Sequence, residues 1–207
     1  MYFPVEAAGG PGRRTRGMTG SDHSRTIAAR AAAIAEQLHH ECSILLEIYR
    51  KKESFTVDVA DSRLVSVPPP SSQLDPRDKL RHLHSALLQC RSLLDRAITK
   101  EEEELGSEKK GEYENQRKMV KERLSLLLDN TGELFKAADC TEMLTPSLEL
   151  DGPSIVFELK LWVYRIFKEV DHWTRTTITT LQDTPLVITK GPARTAMSVR
   201  STRSTRR

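Results

Sequence analysis

The 207-residue chain has little of what marks an enzyme, a membrane protein or a disulfide-stapled domain. Three cysteines, Cys42, Cys90 and Cys140, are too few and odd in number for a disulfide framework, and there is no Asn-x-Ser/Thr sequon. Both facts fit a reduced compartment, although one disulfide with a spare thiol satisfies the same count. No window reaches the roughly 18 apolar residues that a membrane span requires, so no membrane insertion is expected. The opening stretch MYFPVEAAGGPGRRTRG lacks an apolar signal-peptide core, and its charges follow its few apolar residues. By those rules the chain stays in the cytosol. There is no G-x-S-x-G, Walker loop or G-x-G-x-x-G, and carboxylates pair only within solvated charge runs, so neither catalysis nor a cofactor is expected. An excess of one charge is missing too: 32 Lys and Arg against 29 Asp and Glu leave a net charge of +3, which argues against a dedicated nucleic-acid binder. Basic residues do gather at both ends, in Arg13, Arg14 and Arg16 and again from Lys190 to Arg207, but without interleaved aromatics.

What the chain does have is helical periodicity. Residues 1–20 are Gly- and Arg-rich and are expected to be disordered, as is the basic tail 185–207; between them, 21–184 reads as one helical domain. A first helix, capped by Ser21 or Ser24 and running to about Lys52, carries the stripe Ile27, Ala31, Ile34, Leu38, Cys42, Leu45 and Tyr49. A second starts at Pro76 behind Asp75 as cap, turns Leu80, Leu83, Leu87, Cys90, Leu94 and Ile98 inward, and is expected to fray at Glu101 to Glu104, where four acids oppose the helix dipole. Gly106-Ser107 supplies a stop and a new cap. The third helix, from about Glu108 to Ala138, shows Tyr113, Val120, Leu124, Leu127, Thr131, Leu134 and Phe135 on one face. The fourth is Ser154 to Gln182.

Connection lengths bear on the course of the chain. A thirty-residue helix is about 45 Å long, which the long first and second connections can span and the short middle one cannot. Long, short, long fits an up-up-down-down bundle, and an up-down-up-down bundle with slack loops fits as well.

The fourth helix organises the rest. Leu159, Trp162, Ile166, Val170, Trp173 and Thr177 project within roughly 40° of one direction, a core face. Phe157 points about 180° away, with Lys160, Leu161 and Tyr164 within about 60° of it. An aromatic cluster beside a lysine on the back of an amphipathic helix is more than burial of one face demands. Two Glu-x-x-His pairs, Glu36 with His39 and Glu169 with His172, have the spacing of di-iron bundle ligands, but they project away from any shared interior, so no metal site is expected.

Phe157-x-x-Lys160-Leu161-Trp162, followed eleven residues later by Trp173, resembles the last helix of the ciliary neurotrophic factor family of interleukin-6-type cytokines. Ser24-Arg25-Thr26-Ile27 is similar to the opening of that family's first helix, and Leu45-Leu46-x-x-Tyr49 followed by Phe55 to the end of that helix in cardiotrophin-like relatives. The resemblance implies an all-α, up-up-down-down long-chain four-helix bundle with two long crossover loops. It also implies a monomeric extracellular ligand released from a cytoplasmic store, binding the leukaemia inhibitory factor receptor through Phe157, Lys160, Leu161 and Tyr164, with Lys160 meeting a carboxylate at the rim of the Phe157 pocket. The shared signal transducer of the family would bind the first and third helices, and JAK-STAT signalling would follow. An alpha receptor is less clearly implied. The family's arginine beyond the second Trp is Thr176 here, with Arg175 one place earlier, and its aspartate is Thr180; Arg25, Arg30 and Arg175 are the nearest candidates for such a contact. An intracellular helical scaffold without receptor activity is the competing expectation.

Overall fold

The computed structural model describes residues 20–55, 63–106, 111–138, 140 and 152–183. The segments expected to be disordered, 1–20 up to its last residue and 185–207, lie outside the described residues, as do Ser107 and most of the second connection. Among the described residues the protein is all-helical, with no strand and four helices: α1 (Gly20–Lys52), α2 (Pro76–Leu105), α3 (Glu112–Ala137) and α4 (Val156–Asp183).

The periodic stripes are the core. Every residue of the expected α1 and α3 faces is buried, as are Leu80, Leu83, Leu87, Cys90 and Leu94 on α2 and Leu159, Ile166, Val170, Trp173 and Thr177 on α4. Ile98 and Trp162 are half-buried against this cluster.

Helix ends show where local chemistry overrode the expected bounds. α1 starts at Gly20, so Ser24 is inside the helix and buried, and Asp22 in the first turn complements the dipole. α1 ends in a Schellman motif: Phe55 N–H donates to the Arg50 carbonyl (3.1 Å) and Ser54 N–H to that of Lys51 (3.3 Å), with Ser54 left-handed at φ 54°. The apolar contact that accompanies such a motif is the Phe55 ring on Tyr49, 6.2 Å between centroids. α2 starts as expected, the Asp75 carboxylate accepting from Asp78 N–H at 2.8 Å with Pro76 in the first turn. Its C-terminus does not fray at Glu101. That glutamate is buried, accepting from Arg117 (2.7 Å) and from the Tyr113 hydroxyl (2.6 Å), while Lys100 lies 3.8 Å from Glu103. Arg117, supplied from α3, and Lys100 of α2 itself offset the dipole conflict. α3 begins at Glu112 rather than Glu108, with Gly111 extended outside it, where a glycine costs the helix nothing. α4 begins two residues later than Ser154.

α1 packs on α3 and α4, and α2 packs on α3 and α4; across the diagonals only side chains meet among the described residues, as where the Tyr113 ring of α3 lies 6.4 Å from the Phe167 ring of α4. Partners run in opposite chain order in each pair they define. Arg30 meets Glu133, Glu41 meets Arg123, and Tyr49 meets Tyr113. His39 meets Asp171, and Tyr49 meets Tyr164 and Phe167. His84 meets Thr131, and Glu101 meets Tyr113. Residues 63–67 of the first connection lie over α2 and α4: Leu64 N–H donates to Glu169 (3.4 Å), Ser66 N–H donates to Gln89 (3.1 Å), and Val65 and Val67 are buried. This crossing helps cover the back of α2.

Candidate functional site

The outward face of α4 is where sequence and structure meet. Phe157 is 63% exposed, and Ile155 and Val156 before it are exposed as well. Two residues further on, and so on the opposite side of the helix, Leu159 is fully buried, and the chain passes from an apolar protrusion to a core element within three residues. Leu161 is half-buried beside it.

Tyr164 does not belong to this surface. It is 5% exposed, stacked at 6.4 Å on Tyr49 and edge-on at 5.5 Å to Phe55. Two turns along α4 from Phe157 its projection is nearly the same, as periodicity requires. Periodicity knew nothing of the Schellman turn that lays Phe55 over it. Lys160 is placed differently as well. Its ammonium lies 2.5 Å from the Glu53 carboxylate, and the side chains are 31% and 5% exposed. The carboxylate that Lys160 meets is the chain's own.

Behind this face the same end of the bundle is polar and enclosed. The Tyr49 hydroxyl donates to the Lys160 carbonyl at 3.4 Å, and Lys52 lies over the Tyr113 ring at 4.5 Å. Burial, then the neighbouring Glu101 charge, pushes both the Tyr49 and Tyr113 phenols far up, so both stay protonated donors. Burial also raises the Glu101 carboxyl, against the opposing pull of Tyr113 and Arg117. Cys42 and Cys90, buried in the core, are pushed well up by desolvation and are inert thiols.

The remaining expected residues do not form one cluster. Arg25 is exposed on α1. Arg30 pairs with Glu133 of α3 at 3.2 Å, whereas Arg175 pairs with Asp171 of α4 at 2.8 Å. The two Glu-x-x-His pairs are placed differently from each other: Glu36 is exposed and His39 bonds Asp171 (2.6 Å), whereas Glu169 is buried, against the projection, and accepts from the Trp173 indole (3.0 Å). Sequence reasoning missed Glu53, Ile155 and Val156. The run Ile155-Val156-Phe157 before the first core position was a legible signal. The Lys160 partner was not, since nothing local connects positions 53 and 160.

No protein-family model matches this chain, and no curated protein sequence matches it.

Proposed function

We propose that the protein is a long-chain four-helix cytokine of the ciliary neurotrophic factor type, a monomeric ligand that brings together the leukaemia inhibitory factor receptor and the shared transducer of interleukin-6-type cytokines and so activates JAK-STAT signalling. The observation that carries the reading is the exposure of Phe157 on a rigid helix, at the head of the F-x-x-K-L-W motif. A protruding aromatic on a fixed scaffold is the usual anchor of a protein interface.

The course of the chain supports it. α1 and α2 each run opposite to α3, and α4 runs opposite to α1, which is the relation expected of an up-up-down-down bundle with two long crossovers. A second face is on offer to the shared transducer: Met119 and Leu126, seven residues apart on α3, are 45% and 44% exposed. The arginines nearest to alpha-receptor positions, Arg30 and Arg175, already hold carboxylates, so signalling is expected without an alpha receptor.

The test is direct. Purified protein applied to cells carrying both signalling receptors should give dose-dependent STAT phosphorylation that is lost when either receptor is absent. No phosphorylation at any dose would reject the reading and leave an intracellular scaffold.

A further inference from the structure

We infer that Lys160 is a positioning residue of the Phe157 surface rather than its charged contact: it pins the Glu53–Phe55 turn onto α4, and the partner therefore offers an apolar pocket whose rim needs no carboxylate. The inference rests on the proposed function for the identity of the partner, and on three observations for the role of the lysine.

The first is the ion pair itself, 2.5 Å from Lys160 to a Glu53 side chain only 5% exposed. For Lys160 to reach an acidic partner it must leave that carboxylate enclosed and without its nearest cation, since Lys52, the other ammonium at Glu53, is 4.0 Å away. An enclosed carboxylate left with a single cation at 4.0 Å in place of close pairing is costly, so the exchange is unfavourable. The second is what the pair holds. Glu53 heads the turn in which Ser54 is left-handed and Phe55 N–H donates back to Arg50. Such a turn has little to fix it beyond those bonds and the contacts of its side chains. The third is where the turn lies. Phe55 covers Tyr164, which projects within about 20° of Phe157 two turns along the helix. The turn is therefore the lower wall of the surface on which Phe157 stands, and releasing it would change the shape presented to the partner.

A double-mutant cycle on binding to the soluble leukaemia inhibitory factor receptor ectodomain tests this, with Phe157→Ala as the control for the site itself. Glu53→Ala and Lys160→Met should each weaken binding at least fivefold, and the double variant should bind no worse than the weaker single variant. Were Lys160 the contact, Glu53→Ala would free its charge and leave affinity unchanged or improved, and Lys160→Met would still cost its full factor in the Glu53→Ala background; either result overturns the inference. Native binding should also change less than threefold between 50 and 500 mM salt, and a steep decline that Lys160→Met abolishes would equally refute it. If the native protein binds no receptor, the proposed function fails but the positioning role is still read by amide exchange. Protection of the Phe55 N–H should drop at least tenfold in Lys160→Met, and unaltered protection would reject it.

Discussion

Phe157 and Tyr164 differ by seven positions and by nearly everything that matters for recognition. Helical geometry gives them almost one direction, yet one is 63% exposed and the other 5%. The first was legible from the sequence because an apolar residue opposite a complete core stripe has no folding task. The second was not, because its burial depends on Phe55, which belongs to a different helix terminus and reaches Tyr164 only through tertiary structure. The same holds for Lys160, whose charge is answered by a carboxylate 107 positions earlier in the chain. Phe157→Ala is the sharpest single test of the surface. It removes a ring that buries little, so thermal stability should stay within about 0.5 kcal/mol of the native value, while affinity for the leukaemia inhibitory factor receptor ectodomain falls at least tenfold, about 1.4 kcal/mol or more. Parallel loss of stability and binding would make Phe157 a structural residue.

Two elements depend on choices a sequence pattern does not display. The end of α1 is fixed by Ser54 in the left-handed region, where a side chain other than glycine's is strained and the Schellman bonds hold it regardless. Ser54→Gly should relieve that strain and raise stability by about 0.5–1 kcal/mol, seen as an upward shift of the urea midpoint at unchanged slope. A fall would mean that the serine side chain contributes more than the strain removes. The α2–α3 seam holds His84, buried, ring-stacked at 5.5 Å on Phe135, and 3.0 Å from the Thr131 hydroxyl. Thr131 donates its own hydroxyl to the Leu128 carbonyl, which leaves its oxygen to accept from His84 Nδ1–H. A Cβ at Gly132 would stand 3.4 Å from the ring, an ordinary van der Waals contact, so the stacking does not require the glycine. Burial, then the Lys136 charge, holds His84 below the usual histidine value. The unfolded chain thus takes up the proton first, so the stability His84 contributes is fully present above about pH 6.5 and is lost as pH falls from there toward its lower folded value. Burial and Arg63 move His172 in the same direction. Denaturation midpoints should therefore decline from pH 7 to pH 5.5, and His84→Asn, which keeps a donor for Thr131, should flatten the decline in part. An unchanged slope in that variant would remove His84 from the account.

Four helices and their buried faces could be read almost residue by residue, because a 3.6-residue period and a demand for one apolar side leave few alternatives. The relation between helices could be read only from connection lengths, which admitted two courses, and the contacts that bear on it, such as Glu101 with Arg117, join charges that a pattern reading assigns to solvent. Under the proposed function the bundle as a whole matters because exposed apolar positions lie on different helices: Phe157 on α4, Met119 and Leu126 on α3. A rigid ligand with two separate faces gains its effect by raising the local concentration of the second receptor once the first is bound. Disabling one face should then convert an activator into a competitor. Leu126→Glu places a charge at an exposed apolar site where the fold itself demands little, so receptor binding through Phe157 should stay within about twofold of native while STAT phosphorylation falls at least tenfold. Added in excess, that variant should suppress signalling by the native protein, and Phe157→Ala with Leu126→Glu should not, because it holds neither receptor. Full signalling by Leu126→Glu would show that the α3 face takes no part, and suppression by the combined variant would show that a third surface engages the receptors.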